Sequence, residues 1–229
     1  FLSKAMKLML FEINKKTFYS LLLIFLSALF FTLGFPVKGV PLFFGTPILS
    51  LVLIIYMIEE KSLSFKSLFI LFLFFSSFSY AFGYYWVPMS ISQFSGEGIG
   101  ISNVYGSFFI LFLVPQLLLF FFIRKIVIML FNVKEYIFWQ AGLLAILEYF
   151  VPQFIPTHFG HNWLVLSPYL RFAQYFGVVF FTFLSFMIAH CLYSLVFKRG
   201  VNKLHFGFIT VSLIIMFLIC LLYTSPSPR

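Results

Sequence analysis

The chain has 229 residues, 62% of them hydrophobic, 23% aromatic and only 9% charged, with a mean hydropathy of +1.09. A soluble domain needs polar cover over its surface, so this composition excludes one and indicates an all-α polytopic membrane protein. The formal net charge is +9, but the cations stand in short clusters between apolar runs, which suits loops facing anionic headgroups and argues against nucleic acid as a partner.

In chain order, residues 1–16 read as a basic interfacial lead-in carrying Lys4, Lys7, Lys15 and Lys16. A transmembrane helical domain over 17–219 follows. Its spans are predicted near 17–35, 42–58, 68–87, 104–123, 135–151, 172–197 and 204–219. The first connection, "PVKGVP", reads as a tight turn with two prolines, and Pro115 inside the fourth span predicts a kink. With a cytoplasmic N-terminus, the inside segments collect twelve basic residues, against Lys38 and Arg171 outside. That asymmetry predicts seven spans and makes 88–103 and 152–171 outer-face loops. The chain opens at Phe1 without Met, so its N-terminus reads as incomplete. The last ten residues, "CLLYTSPSPR", match the translation of a sequencing-library adapter residue for residue. Residues 220–229 are accordingly read as an artefact, with the native protein continuing past Ile219.

Few residues in the spans could carry chemistry. Glu148, in "LLAILEYFVPQF", is the one acid in the interior of a predicted span, Glu135 standing at the very edge of the same one. A carboxylate at the bilayer centre costs about 2.5–3.5 kcal/mol on insertion scales, so it marks a substrate contact by default; lying about one turn from the outer end, it is otherwise interfacial or hydrogen-bonded to a neighbouring helix. "PTHFGHNW" sets His158, His161, Asn162 and Trp163 on an outer loop. Pro156 and Gly160 spoil the helical His-x-x-His geometry of a metal pair, so a polar, aromatic lip is the preferred reading, with an inert interfacial loop left open. Tyr84, Tyr85 and Trp86 close the third span as an aromatic belt. His190 and His205 read as interfacial, and Cys191 and Cys220 as small buried hydrophobes. The outer loops carry no cysteine nucleophile, no Ser-His-Asp constellation, no phosphate loop and no zinc spacing, so the chain holds no complete active site and calls for no cofactor.

Three stretches, taken in order, resemble a known family. They are "FGYYWVPMSISQFSG", then "WQAGLLAILEYF" with a Trp-containing outer loop, then "SPYLRFAQYFGVVFFTFLSFMI". Together they are similar to the N-terminal membrane region of bacterial apolipoprotein N-acyltransferases, over roughly residues 20–200. Trp86, Ser90, Ile91, Phe94 and Gly96 match the first motif, with Ser95 in place of a glycine. Trp139 and Glu148 fall in the second, and Ser167, Pro168, Gln174, Gly177 and Val178 match the third. The arginine that follows the glutamate in the family is absent here, and "IPTHFGHNW" replaces its Gly-Phe-Pro-Trp run.

The resemblance implies transfer of an acyl chain from a phospholipid to the N-terminal diacylglyceryl-cysteine of a lipoprotein, at the bacterial inner membrane. It also implies a Glu-Lys-Cys triad in a nitrilase-like domain after the seventh span, so that this stretch lacks the catalytic residues. Tyr85, Trp86, Ser90, Phe94, Glu148, His161 and Trp163 are the residues expected to form a lipid-binding lip. A small transporter or channel subunit, and a non-catalytic membrane anchor, are the alternatives. The transporter reading predicts internal repeats and polar residues facing one another at mid-membrane.

Overall fold

The computed structural model describes residues 2–35, 43–60, 63–131, 137–152, 158–166, 173–198, 200 and 203–224. Among these the secondary structure is helical throughout. The "PVKGVP" turn, Pro156, Ser167, Pro168 and the end of the adapter-like tail lie outside the described residues.

No proline or glycine interrupts the sequence until Gly34, and α1 runs unbroken over Leu2–Leu33. The basic lead-in and the first apolar run therefore form one helix. Helix α2 (Thr46–Glu60) has Pro47 in its first turn, where the missing N–H costs nothing. Helix α3 (Phe65–Gly83) is capped by Ser64, whose hydroxyl accepts the Ser67 N–H at 3.1 Å. The expected outer loop 88–103 is largely helical: α4 spans Val87–Ser95 and α5 begins at Ile99, running to Phe112. Helix α6 (Pro115–Phe131) follows after a bend at Leu113 and Val114. Pro115 accounts for the break, because its ring and missing N–H cannot extend α5 across the junction. Helix α7 (Ile137–Phe150), a 3-10 helix (Phe159–Leu166), α8 (Ala173–Phe197) and α9 (Lys203–Thr224) complete the order. Within α8, Gly177 leaves helical geometry (φ +67°, ψ 177°), so the regular helix begins there.

Among the described residues, three helical segments are long and apolar enough to cross a membrane: Phe65–Gly83, Ile99–Phe131 and Gly177–Phe197. Phe18–Leu33, Ile137–Phe150 and Lys203–Ile215 are apolar but shorter. The distribution of side chains agrees with a membrane protein. Phe108, Leu130, Phe150 and Leu204 point outward, while Ser27, Ser50, Thr182 and Ser185 are buried. In lipid the outer surface needs no polar cover, and small or hydroxylated residues serve better between helices. Ser27 and Ser50 show this: their hydroxyls lie 3.0 Å apart and join α1 to α2 beside the fully buried Ala28.

Helix α1 packs on α2 and α3, α2 on α8, and α8 on α7 and α9, with α3 touching α5 and α6. Phe31, near the end of α1, meets both Phe75 of α3 and Phe159 of the 3-10 helix in tilted ring contacts. Helix α2 rises about 22 Å from Thr46 to Glu60, and its two ends carry different polar clusters. The Thr46 end meets the 3-10 helix, and the Glu60 end meets α6 and α8. Glu59 and Glu60 belong to α2 itself, so Glu148 is not the only acid carried by an apolar helix.

Candidate functional site

The expected lip divides into two groups. The first surrounds the 3-10 helix. Glu148 lies near the end of α7, and its side chain is fully enclosed. One carboxyl oxygen accepts the backbone N–H of Phe159 at 2.9 Å; the other accepts the Thr182 hydroxyl and sits 3.5 Å from His158 Nδ1. The Thr182 oxygen in turn accepts the Gly160 N–H at 2.9 Å. This chain of hydrogen bonds ties α7, the 3-10 helix and α8 together, and each bond polarises the next.

Gly160 permits the arrangement by its lack of a side chain. A Cβ there would stand 2.2 Å from the Val178 carbonyl oxygen and 2.7 Å from the Thr182 nitrogen. Trp163 is buried, stacks on Phe181 at 5.6 Å, and donates its indole N–H to Ser185 Oγ at 2.8 Å. Asn162 turns the other way. Its amide accepts the Gly45 N–H at 2.5 Å and donates to the Gly34 and Phe43 carbonyls at 3.2 and 3.3 Å. It thereby gives hydrogen-bond partners to backbone groups on both sides of the α1–α2 connection. His161 is half-buried, its Nδ1 accepting the His158 N–H at 3.3 Å with the two rings 4.7 Å apart.

The second group forms a rim at α4 and α5. Tyr84 is buried beneath it. Tyr85 is exposed at the α3–α4 turn. Trp86 is 45% exposed, and its indole N–H reaches only the Gly83 carbonyl, at 3.1 Å. Pro88 sits in the first turn of α4 and Gly96 closes it with φ +75°, a left-handed cap that glycine adopts without strain. Val87 and Pro88 face inward, while Phe94 is 92% exposed. Trp86, Ser90, Ile91 and Phe94 line an open apolar groove of about 460 Å³, with Phe109 of α5 as its far wall.

Of the seven expected residues, Glu148, His161 and Trp163 belong to the fastened region, and Trp86, Ser90 and Phe94 to the groove. Tyr85 stands at the turn leading into the groove. Glu148 and Trp163 are interior residues, not lipid-facing ones, because their polar atoms find partners only inside the bundle. Their side-chain partners, Thr182 and Ser185, were not among the expected site residues. Hydroxyls four or fewer residues apart along an apolar run, as Thr182 and Ser185 are, mark a helix face that meets polar groups, and that signal was available. Among the described residues no group of three or more His, Cys, Asp or Glu side chains is placed to hold a metal ion. His190 and His205 contact one another, with ring centres 6.4 Å apart, and His205 is buried. Cys191 is a buried thiol. Protein-family models, curated proteins and solved structures give no match to this chain.

Proposed function

We propose that this chain is the membrane domain of an apolipoprotein N-acyltransferase, with seven spans in the bacterial inner membrane and a cytoplasmic N-terminus. In this reading α2 and the shorter apolar helices cross the bilayer along with the three long segments. The observation that carries the proposal is the groove. Trp86, Ser90, Ile91 and Phe94, which carry the first motif of the resemblance, share one apolar wall about 460 Å³ in volume. That volume falls within the usual range of small-molecule pockets. The groove accepts an acyl chain of the phospholipid donor or the diacylglyceryl lipoprotein acceptor. The nucleophile, base and stabilising cation come from a nitrilase-like domain elsewhere in the parent protein, so the activity belongs to the parent. The test is to express the parent reading frame in cells depleted of N-acylation and weigh the N-terminal peptide of a mature lipoprotein. A gain of a third acyl chain supports the proposal, and a peptide that stays diacylated overturns it.

One observation favours a second reading. Ser76 and Ser79 of α3, Ser102 of α5 and Gln116 of α6 are fully buried, and their side chains have no hydrogen-bond partner among the described residues. Such a polar seam is what a small transporter or channel subunit would use. Solute flux into liposomes holding the purified chain, lost on Gln116→Leu, would favour transport over acyl transfer.

A further inference from the structure

The end of the bundle away from the 3-10 helix holds a cluster with no part in the groove. Arg124 of α6 donates from Nε to Gln140 Oε1 at 2.7 Å and from a terminal nitrogen to Glu59 Oε1. The Arg124 and Glu59 side chains are only 8% and 5% exposed. Lys125 donates to the Leu63 carbonyl and lies 5.0 Å from the centre of the Phe65 ring. Glu60 accepts the Tyr193 hydroxyl at 2.7 Å. Glu59, Glu60, Arg124 and Lys125 surround a cavity of about 430 Å³ whose other walls are apolar, Phe121 and Met129 among them.

Helix packing alone does not call for this arrangement. A buried ion pair is often no more stabilising than well-packed apolar side chains of the same volume, and apolar packing is what the bundle uses at most of its other interfaces. The cavity also selects by charge. A bare anion would meet two carboxylates, and a bare cation would meet a guanidinium and an ammonium. A group carrying both signs close together brings an opposite charge to each side of the cluster. Met129 is 68% exposed, and Leu130 and Phe131 beyond it are also exposed. An apolar tail leaving the cavity therefore runs onto the outer face of α6.

We propose that this cavity binds the headgroup of a phospholipid bearing both a phosphate and a primary ammonium. The phosphate meets Lys125 and the N–H groups of Arg124 that Glu59 and Gln140 leave over. A guanidinium has five N–H donors, and two are committed to those partners among the described residues. The ammonium meets Glu60, and the glycerol and acyl portions lie along Phe121 and Met129. Basic side chains between membrane helices are known to hold lipid phosphates. The site is distinct from the α4–α5 groove and does not depend on the acyltransferase reading.

The test uses the purified 229-residue chain in detergent, with thermal unfolding followed as short-chain lipids are added. Dihexanoylphosphatidylethanolamine is expected to raise the midpoint, and the phosphatidylglycerol and phosphatidylcholine analogues are expected to raise it less. Lys125→Ala removes a charged hydrogen-bond donor and should weaken the phosphatidylethanolamine response about tenfold in concentration. Glu60→Gln keeps an oxygen for Tyr193 and should erase the preference over phosphatidylglycerol. Ser107→Ala, on the exposed face of α5, should respond as the unaltered chain does. Equal stabilisation by all three lipids, or by inorganic phosphate alone, overturns the proposal, as does an unchanged response in both charge variants. Native mass spectrometry of the unaltered chain, taken from membranes of mixed composition, needs no substitution. Selective retention of phosphatidylethanolamine supports the site, and equal retention of both lipids overturns it.

Discussion

The 3-10 helix and the α4–α5 rim hold equivalent places in the chain. Each carries it from one apolar helix to the next, and each bears a tryptophan. Their wiring differs. The Trp163 indole reaches Ser185 on α8, whereas the Trp86 indole reaches Gly83, three residues back. The first bond fastens one element to another, and the second only shapes a turn. The 3-10 helix is thus fixed by bonds to distant segments, while α4 rests on Val87 and Pro88 and leaves Phe94 outside. A polar or aromatic residue between membrane helices stiffens the bundle when its partner is remote in sequence, and stays available to ligands when its partner is local.

The largest expected effect tests the fastened side. Glu148→Ala removes the acceptor for Phe159 and Thr182 and leaves a cavity in the bundle. A loss of about 4 kcal/mol follows from unpaired buried donors plus lost packing, a fall of roughly 10 °C in the unfolding midpoint for a chain of this size. Gly160→Ala comes next. The added methyl meets the Val178 carbonyl and the Thr182 backbone rather than a flexible side chain, so a cost of about 2–3 kcal/mol is expected. Circular dichroism melts in detergent check both. If Gly160→Ala melts with the unaltered chain, the 3-10 helix is not pressed against α8.

Trp163→Phe keeps a ring against Phe181 and leaves the Ser185 hydroxyl without its donor, at a cost of about 1 kcal/mol. A double variant with Ser185→Ala should lose little more, because the two residues share one interaction. The smallest effect belongs to the rim. Phe94→Ala should move the midpoint by less than about 2 °C, since an exposed side chain contributes little to stability. Fluorescence sharpens the contrast. In single-tryptophan variants, phospholipids with brominated chains should quench Trp86 strongly and Trp163 weakly. Equal quenching would erase the distinction between the two regions.

Much of the helical pattern was legible in the sequence, because apolar runs of span length are hard to mistake and Pro115 announces its own bend. The α4 helix was readable as well: Pro88 and Gly96 are a helix start and stop eight residues apart. The serines between them gave the stretch the look of a loop. Burial was harder to read. Glu148 and Trp163 stand near the ends of apolar segments, where an interfacial position is the ordinary outcome. Their placement inside depends on Thr182 and Ser185, which approach only after α8 has packed against α7. Nothing within a few residues of Asn162 indicates that its amide belongs to the turn after α1. The mixed-charge cavity was hidden for the same reason, since Glu59 and Arg124 are 65 residues apart.

The Asn162 bridge also implies an order of assembly. Gly45 and Asn162 are separated by 117 residues, a stretch that takes a ribosome roughly ten seconds to add. Through that interval the Gly45 amide lacks its Asn162 partner. The bond is completed only when the segment after α7 emerges and folds back. The α1–α2 pair is therefore made well before α8 and finished only with it.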